Sequence, residues 1–530
     1  MKEYQRRNRA VFIGALICIF ISNGLAVTLQ FFKGDVLDRA ISGEIGATIK
    51  YAFLLVSFIL GECLFYFLYR RFTARYVVGC TKLLKRHIFG SILRRDFISY
   101  QEHQRGEYIA KLTNGADSIQ ERRFRMLPMF FDILFKIVFV SAALLMLDWR
   151  LALITIGLLT TPLYIPKLIE KRLQNAQTEY LDAVEKTLSK VNDWLSGFEI
   201  IKNYSVEKQI LKRFEEANDL TMDKLLRDNM LGAVAQLITT LISYLSYFIV
   251  LICAAWLVLR GDFSAGDFFV AIGMIDQLSY PLISLAEIIR QLVAIRPTCR
   301  EMERFIATGT SHRAEKPLNA IRNQIRYRDV SFSYPNGTRV LEHFNAIAEM
   351  GKRYLIRGPS GCGKTTAVNL LLRYYDADGG KIEVDGAPLS DYTDTYACMT
   401  VVRQEAILFH DTLRNNLSMY MDMPDERLME MLSHLGLSKF ANKDALDGLV
   451  TENGANLSGG EKKRICLARA LLRDTPVLIL DEPLANLDEK TAGKIEDLLL
   501  SIRDKLVLVV SHTFTDGKLS RFDGVWTMGK

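Results

Sequence analysis

Gly358-Pro-Ser-Gly-Cys-Gly363-Lys364-Thr365 is the stretch on which the fold turns. It satisfies G-x-x-x-x-G-K-[ST] at every fixed position. A short apolar strand, Tyr354-Leu-Ile, precedes it, and a helix, Thr366 to Leu372, follows. That strand–loop–helix setting is what a phosphate-binding loop needs. Gly358, Gly361 and Gly363 let backbone N–H groups wrap a phosphate chain, with Ser360 and Thr366 in the same cradle, and the helix start adds partial positive charge. Lys364 would bridge the β- and γ-phosphates of ATP, and the Thr365 hydroxyl would ligate Mg²⁺.

Downstream, Val477-Leu-Ile-Leu480-Asp481-Glu482 is an apolar run ending in two acids. It reads as a buried parallel strand that delivers carboxylates to its C-terminal edge, where ligands sit in such sheets. Alone it fits a strand capped by solvated acids equally well. Beside a phosphate loop it fits a hydrolytic site, in which Asp481 would hold Mg²⁺ and Glu482 would polarise the attacking water.

Between the two lies Leu457-Ser458-Gly459-Gly460-Glu461, directly before a helix over Lys462–Leu472. These residues resemble the LSGGQ signature of the ATP-binding cassette (ABC) proteins, with Glu461 at the position of Gln. The exchange keeps a polar side chain and puts an acid in the first turn, favourable to the helix dipole, so function is expected to survive it. The resemblance implies that Ser458, Gly459 and Gly460 form a second phosphate-binding helix start, serving ATP held by the opposing subunit. Tyr334 resembles the aromatic that stacks on adenine. Gln404 resembles the glutamine that senses Mg²⁺ and touches the membrane domain. Leu487-Asp488 resembles the D-loop, with Asn486 where alanine is usual, and His512 resembles the switch histidine on the γ-phosphate. The implied catalytic set is Glu482, His512 and Gln404, with Thr365, Gln404 and Asp481 around the metal and ATP and Mg²⁺ as cofactors. The chain stops 18 residues after His512, where family members usually continue with a strand and helices. The resemblance therefore implies that dimerisation rests on ATP and on membrane helices.

Upstream, the composition changes to long uncharged apolar runs. Six spans are expected: Val11–Phe32, Tyr51–Tyr69, Leu127–Leu147, Leu151–Ile165, Leu231–Leu259 and Phe268–Val293. About 20 helical residues cross the ~30 Å hydrocarbon core. The fourth looks short and is expected to continue past Pro162 and Pro166. The connectors after spans two and four are long, helical in pattern and strongly charged, with basic clusters such as Arg94-Arg95. The basic bias places them and the N-terminus on the cytoplasmic side of the plasma membrane, and an even number of spans returns the ATPase domain to that side. Tyr100–Ile119 and Ser196–Lys202 resemble the recurring connector segments of bacterial ABC exporters. The segments around Tyr100–Gly106 and Trp194–Gly197 are expected to dock beside Gln404 and Glu452, in a homodimer one of them on the opposing subunit.

The expected fold class is thus an α-helical six-span membrane domain (1–305), a linker (306–322) and a P-loop α/β ATPase domain (323–530). The resemblance adds an antiparallel β subdomain and a helical signature subdomain. A net charge of +7 suits basic cytoplasmic loops, and no nucleic-acid partner is expected. The eight cysteines form no CxxC pair, so neither a disulfide framework nor a zinc site is expected. Glu62, Asp132, Lys136, Asp276, Glu287 and Arg290 lie within the spans. They serve either as pairs between helices or as the lining of a translocation cavity, and Asp132 and Lys136 are spaced to pair on one helix face. One phosphate loop and one signature per chain imply a second half-transporter subunit, identical or different. The expected partners are that subunit, the lipid bilayer and a transported solute. Export is the main reading; import of a siderophore-like solute and a non-transporting ATPase are the alternatives.

Overall fold

The computed structural model describes residues 1–160, 165–308, 316–334, 337–393, 395–484, 489–511 and 516–529. Contacts divide the chain into two units: Met1–Leu93 with Gln104–Gly309, and Arg94–His103 with Thr310–Lys530.

The first unit is helical. Its principal helices are α1 (Arg9–Ile41), α2 (Ile45–Leu93), α3 (Met126–Leu147), α4 (Trp149–Leu159), α5 (Ile165–Ser196), α6 (Glu207–Leu259), α7 (Ala265–Ala294) and α8 (Arg296–Thr308). Among the described residues four helical stretches are long and apolar enough to cross a membrane: Arg9–Ile41, Ile45–Leu93, Arg105–Leu147 and Glu207–Leu259. Their apolar windows are mostly not buried inside the chain, as lipid-facing surface requires. Of the two other expected spans, the fourth holds only the short apolar helix α4. Residues 161–164, with the expected bend at Pro162, lie outside the described residues. The sixth coincides with α7. At 53 residues, α6 runs roughly 80 Å, far more than a bilayer core, so it extends well beyond the membrane.

Side chains at the helix ends fix this packing. Asp148 caps α4 by accepting from the Arg150 and Leu151 amides. Asp38, near the end of α1, accepts from Ser264 Oγ at 2.6 Å and the Gly266 amide at 2.7 Å, at the start of α7. Arg150 lies 3.5 Å from Asp262, so the α3–α4 and α6–α7 turns share one end of the bundle. A Cβ at Gly34 would sit 2.6 Å from Val270 and 2.9 Å from the Gly266 carbonyl oxygen, so only glycine lets α1 and α7 approach this closely.

The second unit holds two main sheets. The first runs antiparallel, with β1 (Gln324–Ser333) between β2 (Arg339–Glu349) and β4 (Gly379–Val384). The other is parallel. Its strands are β3 (Arg353–Arg357), β5 (Met399–Val402), β6 (Val477–Asp481), β7 (Leu506–Val510) and β8 (Gly524–Thr527), in the order β8-β3-β7-β6-β5. Its central strands β6 and β7 are buried on both faces, with the side-chain alternation of period two. Ile356, Ile479 and Leu508 join the core with the antiparallel sheet. Leu355, Leu478, Leu480, Val507 and Val509 face the core formed with α10 (Asp425–His434), α11 (Gly459–Leu472) and α12 (Glu489–Ser501). Strand β8 follows position 512, so the short tail still adds an edge strand on β3. Arg353, 3% exposed, donates to Asp523 and to the Leu500 carbonyl, and so anchors the approach to β8.

Candidate functional site

Strand β3 runs into the phosphate loop, and α9 (Lys364–Leu371) leaves it. Gly363 has φ +98°, and a Cβ there would lie 2.8 Å from Leu341 Cδ2. A Cβ at Gly358 would lie 2.5 Å from the Met528 carbonyl oxygen and 2.6 Å from Cys362 Sγ. The tail after β8 therefore forms one wall of the loop. Lys364 is only 7% exposed, and its ammonium donates to the Gly358 and Pro359 carbonyls, both at 2.8 Å. A cation held in reserve by its own loop is available to a phosphate chain once these bonds exchange.

Strand β6 ends at Asp481, paired in register with Val510 of β7. Asp481 is 7% exposed, and burial pushes its carboxyl above the usual range. Arg403, the Thr365 hydroxyl, Lys364 and Lys463 oppose that shift. The Thr365 hydroxyl thus acts on the Asp481 carboxyl, and hydroxyl plus carboxylate is an oxygen donor set that suits Mg²⁺. Glu482 follows with φ +51°, a left-handed conformation unusual for glutamate, while its amide donates to the Val510 carbonyl at 2.9 Å. Strain of this kind collects at active sites, where the surrounding structure fixes it. Tyr334 bonds Thr366 Oγ1 at 3.0 Å and packs edge-on against Phe332 and Tyr375, so the ring sits beside the loop helix.

The signature begins α11. Ser458 is its N-cap in a capping box: its amide donates to Glu461 Oε2 at 2.8 Å, and its hydroxyl accepts from the Glu461 amide at 3.3 Å. Glu461 also pairs with Lys439 at 2.5 Å. Lys439 and the Ser458 amide hold its carboxyl down at about 2. Glutamate therefore has its own structural role at this position. Gly459 and Gly460 form the first turn of the helix. Gln404 is exposed, just after Arg403. Asp488 and His512 lie outside the described residues; β7, which leads toward His512, is the neighbour of β6.

Two charged groups escaped the sequence reading. Arg403 lies 3.8 Å from Asp481, donates to Asn369 Oδ1 at 2.6 Å and stacks over Tyr374, 5.2 Å from the ring centre. Lys463 of α11 is 6% exposed. Burial lowers its ammonium from the usual range, and Glu482 and Asp481 oppose that shift. The signal for both was a cation next to a recognised motif. Phe97 was missed as well. It belongs to a short helix, Phe97–Gln101, and stacks on Tyr374 at 3.9 Å and 15°, while Tyr375 donates to Gln101 at 2.8 Å. Tyr374 and Tyr375 are thus the residues that receive Phe97 and Gln101.

Comparison with known proteins agrees with this geometry. The family described as "ABC transporter transmembrane region" matches residues 12–282, and "ABC transporter" matches residues 341–485. The ATP-dependent lipid A-core flippase of Pseudoalteromonas translucida (strain TAC 125) is 25% identical, over 96% of this chain and 90% of its own. The uncharacterized ABC transporter ATP-binding protein YwjA of Bacillus subtilis (strain 168) is 26% identical, over 81% of this chain and 76% of its own. A solved bacterial Atm1-family ABC exporter with ATP bound shares the fold, with a TM-score of 0.80 at 21% identity, covering 99% of this chain and 94% of that one.

Proposed function

The chain belongs to the ATP-binding cassette transporters, and on that footing we propose that it is one half of a dimeric exporter of the plasma membrane, with its N-terminus and ATPase unit cytoplasmic. Its ATPase activity drives movement of a solute across the membrane. Relatives named as lipid A-core flippases favour an outward-moving amphiphile as cargo.

In this reading Lys364 exchanges its two carbonyl partners for the β- and γ-phosphates of ATP. Thr365 and Asp481 hold Mg²⁺, which neutralises phosphate charge when bound. Glu482 accepts the proton of the attacking water, and Lys463 and Arg403 hold the two carboxylates in place. Tyr334 carries the adenine, while Gln404 and His512 serve the metal and the γ-phosphate. Ser458, Gly459 and Gly460 face the ATP of the opposing subunit. A Cβ at Gly459 would meet nothing within 4 Å, so this chain's own packing does not demand glycine there. The demand comes from what approaches the helix start.

One observation carries the coupling. Residues 94–103 come from between membrane helices yet fold into the ATPase unit. Phe97 lies on Tyr374, Tyr374 under Arg403, and Arg403 against Asp481. That series of contacts links the connector to the Mg²⁺ carboxylate. Phe97→Ala, reconstituted in vesicles, should keep basal ATP hydrolysis and lose ATP-driven transport. Transport at the wild-type rate would count against the relay.

A further inference from the structure

The in-span charges divide into two kinds. Asp132 accepts from Asn23 Nδ2 at 3.1 Å, and Glu287 is bonded by Arg290 at 2.7 Å. These are structural pairs; Asp132 takes its hydrogen bond from Asn23, while Lys136 attracts it electrostatically. Lys33, Lys136 and Asp276 are different. Among the described residues none of the three has an ion-pair partner within 4 Å, and Lys33 makes only a 3.4 Å bond to Gln30. All three line one cavity of about 490 Å³ between α1, α3 and α7, together with Gln30, Gln277 and Phe269.

The helix ends fix the depth of this cavity. Lys136 is about eleven residues, roughly 16 Å, from the end of α3, and Asp276 is the same distance from the start of α7. Those ends lie together through Arg150 and Asp262. Lys33 is about five residues, or roughly 8 Å, short of Asp38, which ties α1 to the same end. The cavity therefore reaches from near the bundle's end toward the middle of the apolar zone. Charges at that depth must face water or a charged ligand. Two ammonium groups face one carboxylate there, and Asp132 is not part of the wall. The wall itself carries one more ammonium than carboxylate, with Asp132 attracting Lys136 from outside it. Gln277 donates to the Ala26 carbonyl at 3.4 Å, and its Oε1 is buried without a partner, ready to accept from a hydroxyl. Phe269 supplies an apolar side, and the volume is of ligand-pocket size.

We infer that this cavity binds an anionic group, phosphate or carboxylate, of the transported solute, held between Lys33 and Lys136 with Asp276 limiting the affinity. The inference rests on the transporter reading and names the charge class of its cargo. Binding is measured without nucleotide, so its failure stands apart from failure of the ATPase chemistry. The full chain is placed in phosphatidylcholine nanodiscs and titrated with dodecyl phosphate, dodecyl maltoside and inorganic phosphate. Dodecyl phosphate should bind more tightly than dodecyl maltoside. Lys136→Gln and Lys33→Gln should each weaken it about tenfold, the usual weight of a charged hydrogen bond. Lys136→Arg should restore binding, and Asp276→Asn should strengthen it several-fold. That opposite sign is one that general loss of packing would not produce. Competition by inorganic phosphate would identify a free anion as the source, and no competition an amphiphile headgroup; both support the site. Equal binding of the two detergents, or weakening by Asp276→Asn alongside the lysine variants, would overturn the inference.

Discussion

The phosphate loop and the intramembrane cavity both position lysine, buried in the first and half-buried in the second, by different means. Lys364 is satisfied within six residues of itself, by carbonyls of its own loop. Lys33 and Lys136 come from separate helices and are brought to one cavity by the approach of α1, α3 and α7. The loop is a property of local backbone, where glycine at 358 and 363 is enforced by atoms closer than 3 Å. The cavity is a property of helix packing, and its charges are left for something else to satisfy. Local geometry thus builds the phosphate loop, while helix packing builds the cavity.

The largest effect should separate the two regions completely. Glu482→Gln should slow ATP hydrolysis by about 10²–10⁴-fold, the weight of a general base, and leave ATP binding intact. Steady-state hydrolysis beside nucleotide binding checks it, and near-normal turnover would remove Glu482 from the chemistry. Lys364→Ala should weaken ATP binding by about ten- to a hundredfold, because a charged hydrogen-bond donor to phosphate is lost. It should leave dodecyl phosphate binding in the membrane half unchanged. A shift in both would break the distinction between them.

Stability gives smaller tests. Asp523→Ala leaves Arg353 buried without its carboxylate and should cost the ATPase unit about 3 kcal/mol, read by denaturant unfolding. Asn23→Leu removes the donor to Asp132 in the membrane half and should cost about 1–3 kcal/mol, read by thermal unfolding in detergent. Glu461→Gln should cost less than about 1 kcal/mol, since the capping bond survives and only the Lys439 pair is lost. The sign with pH is fixed by a carboxyl held at about 2, below its ordinary 4.5. The extra stability is complete above pH 4.5 and disappears as pH falls through about 2, so the gap between wild type and variant should close over that window.

The parts written in consecutive residues were legible before the structure. Gly358 to Thr365 and Val477 to Glu482 carry strand, loop and carboxylates in one short reach, and both parallel strands stand where the apolar runs put them. Ser458 and Glu461 show the structural role of the departure from glutamine, since an acid at this position closes the capping box. Parts that depend on distant residues were not legible. Asp132 and Lys136 fit an i,i+4 pair and do attract each other, but the hydrogen bond to Asp132 comes from Asn23 on another helix. Arg403 and Lys463 meet Asp481 and Glu482 only through the folding of β5 and α11 against β6. The four residues of β8 gave too short a pattern to mark a strand, although Val525 and Trp526 were its signal.

The claim that this chain is half of a machine can be tested by pairing two broken copies. Lys364→Ala and Ser458→Arg chains, each inactive alone, are co-expressed with different tags and the mixed dimer is isolated. If ATP lies between Lys364 of one copy and Ser458 of the partner subunit, the mixed dimer regains one intact site, and ATP hydrolysis rises well above either parent. If each chain builds its site alone, both sites stay broken, and a mixed dimer as inactive as its parents would contradict the account.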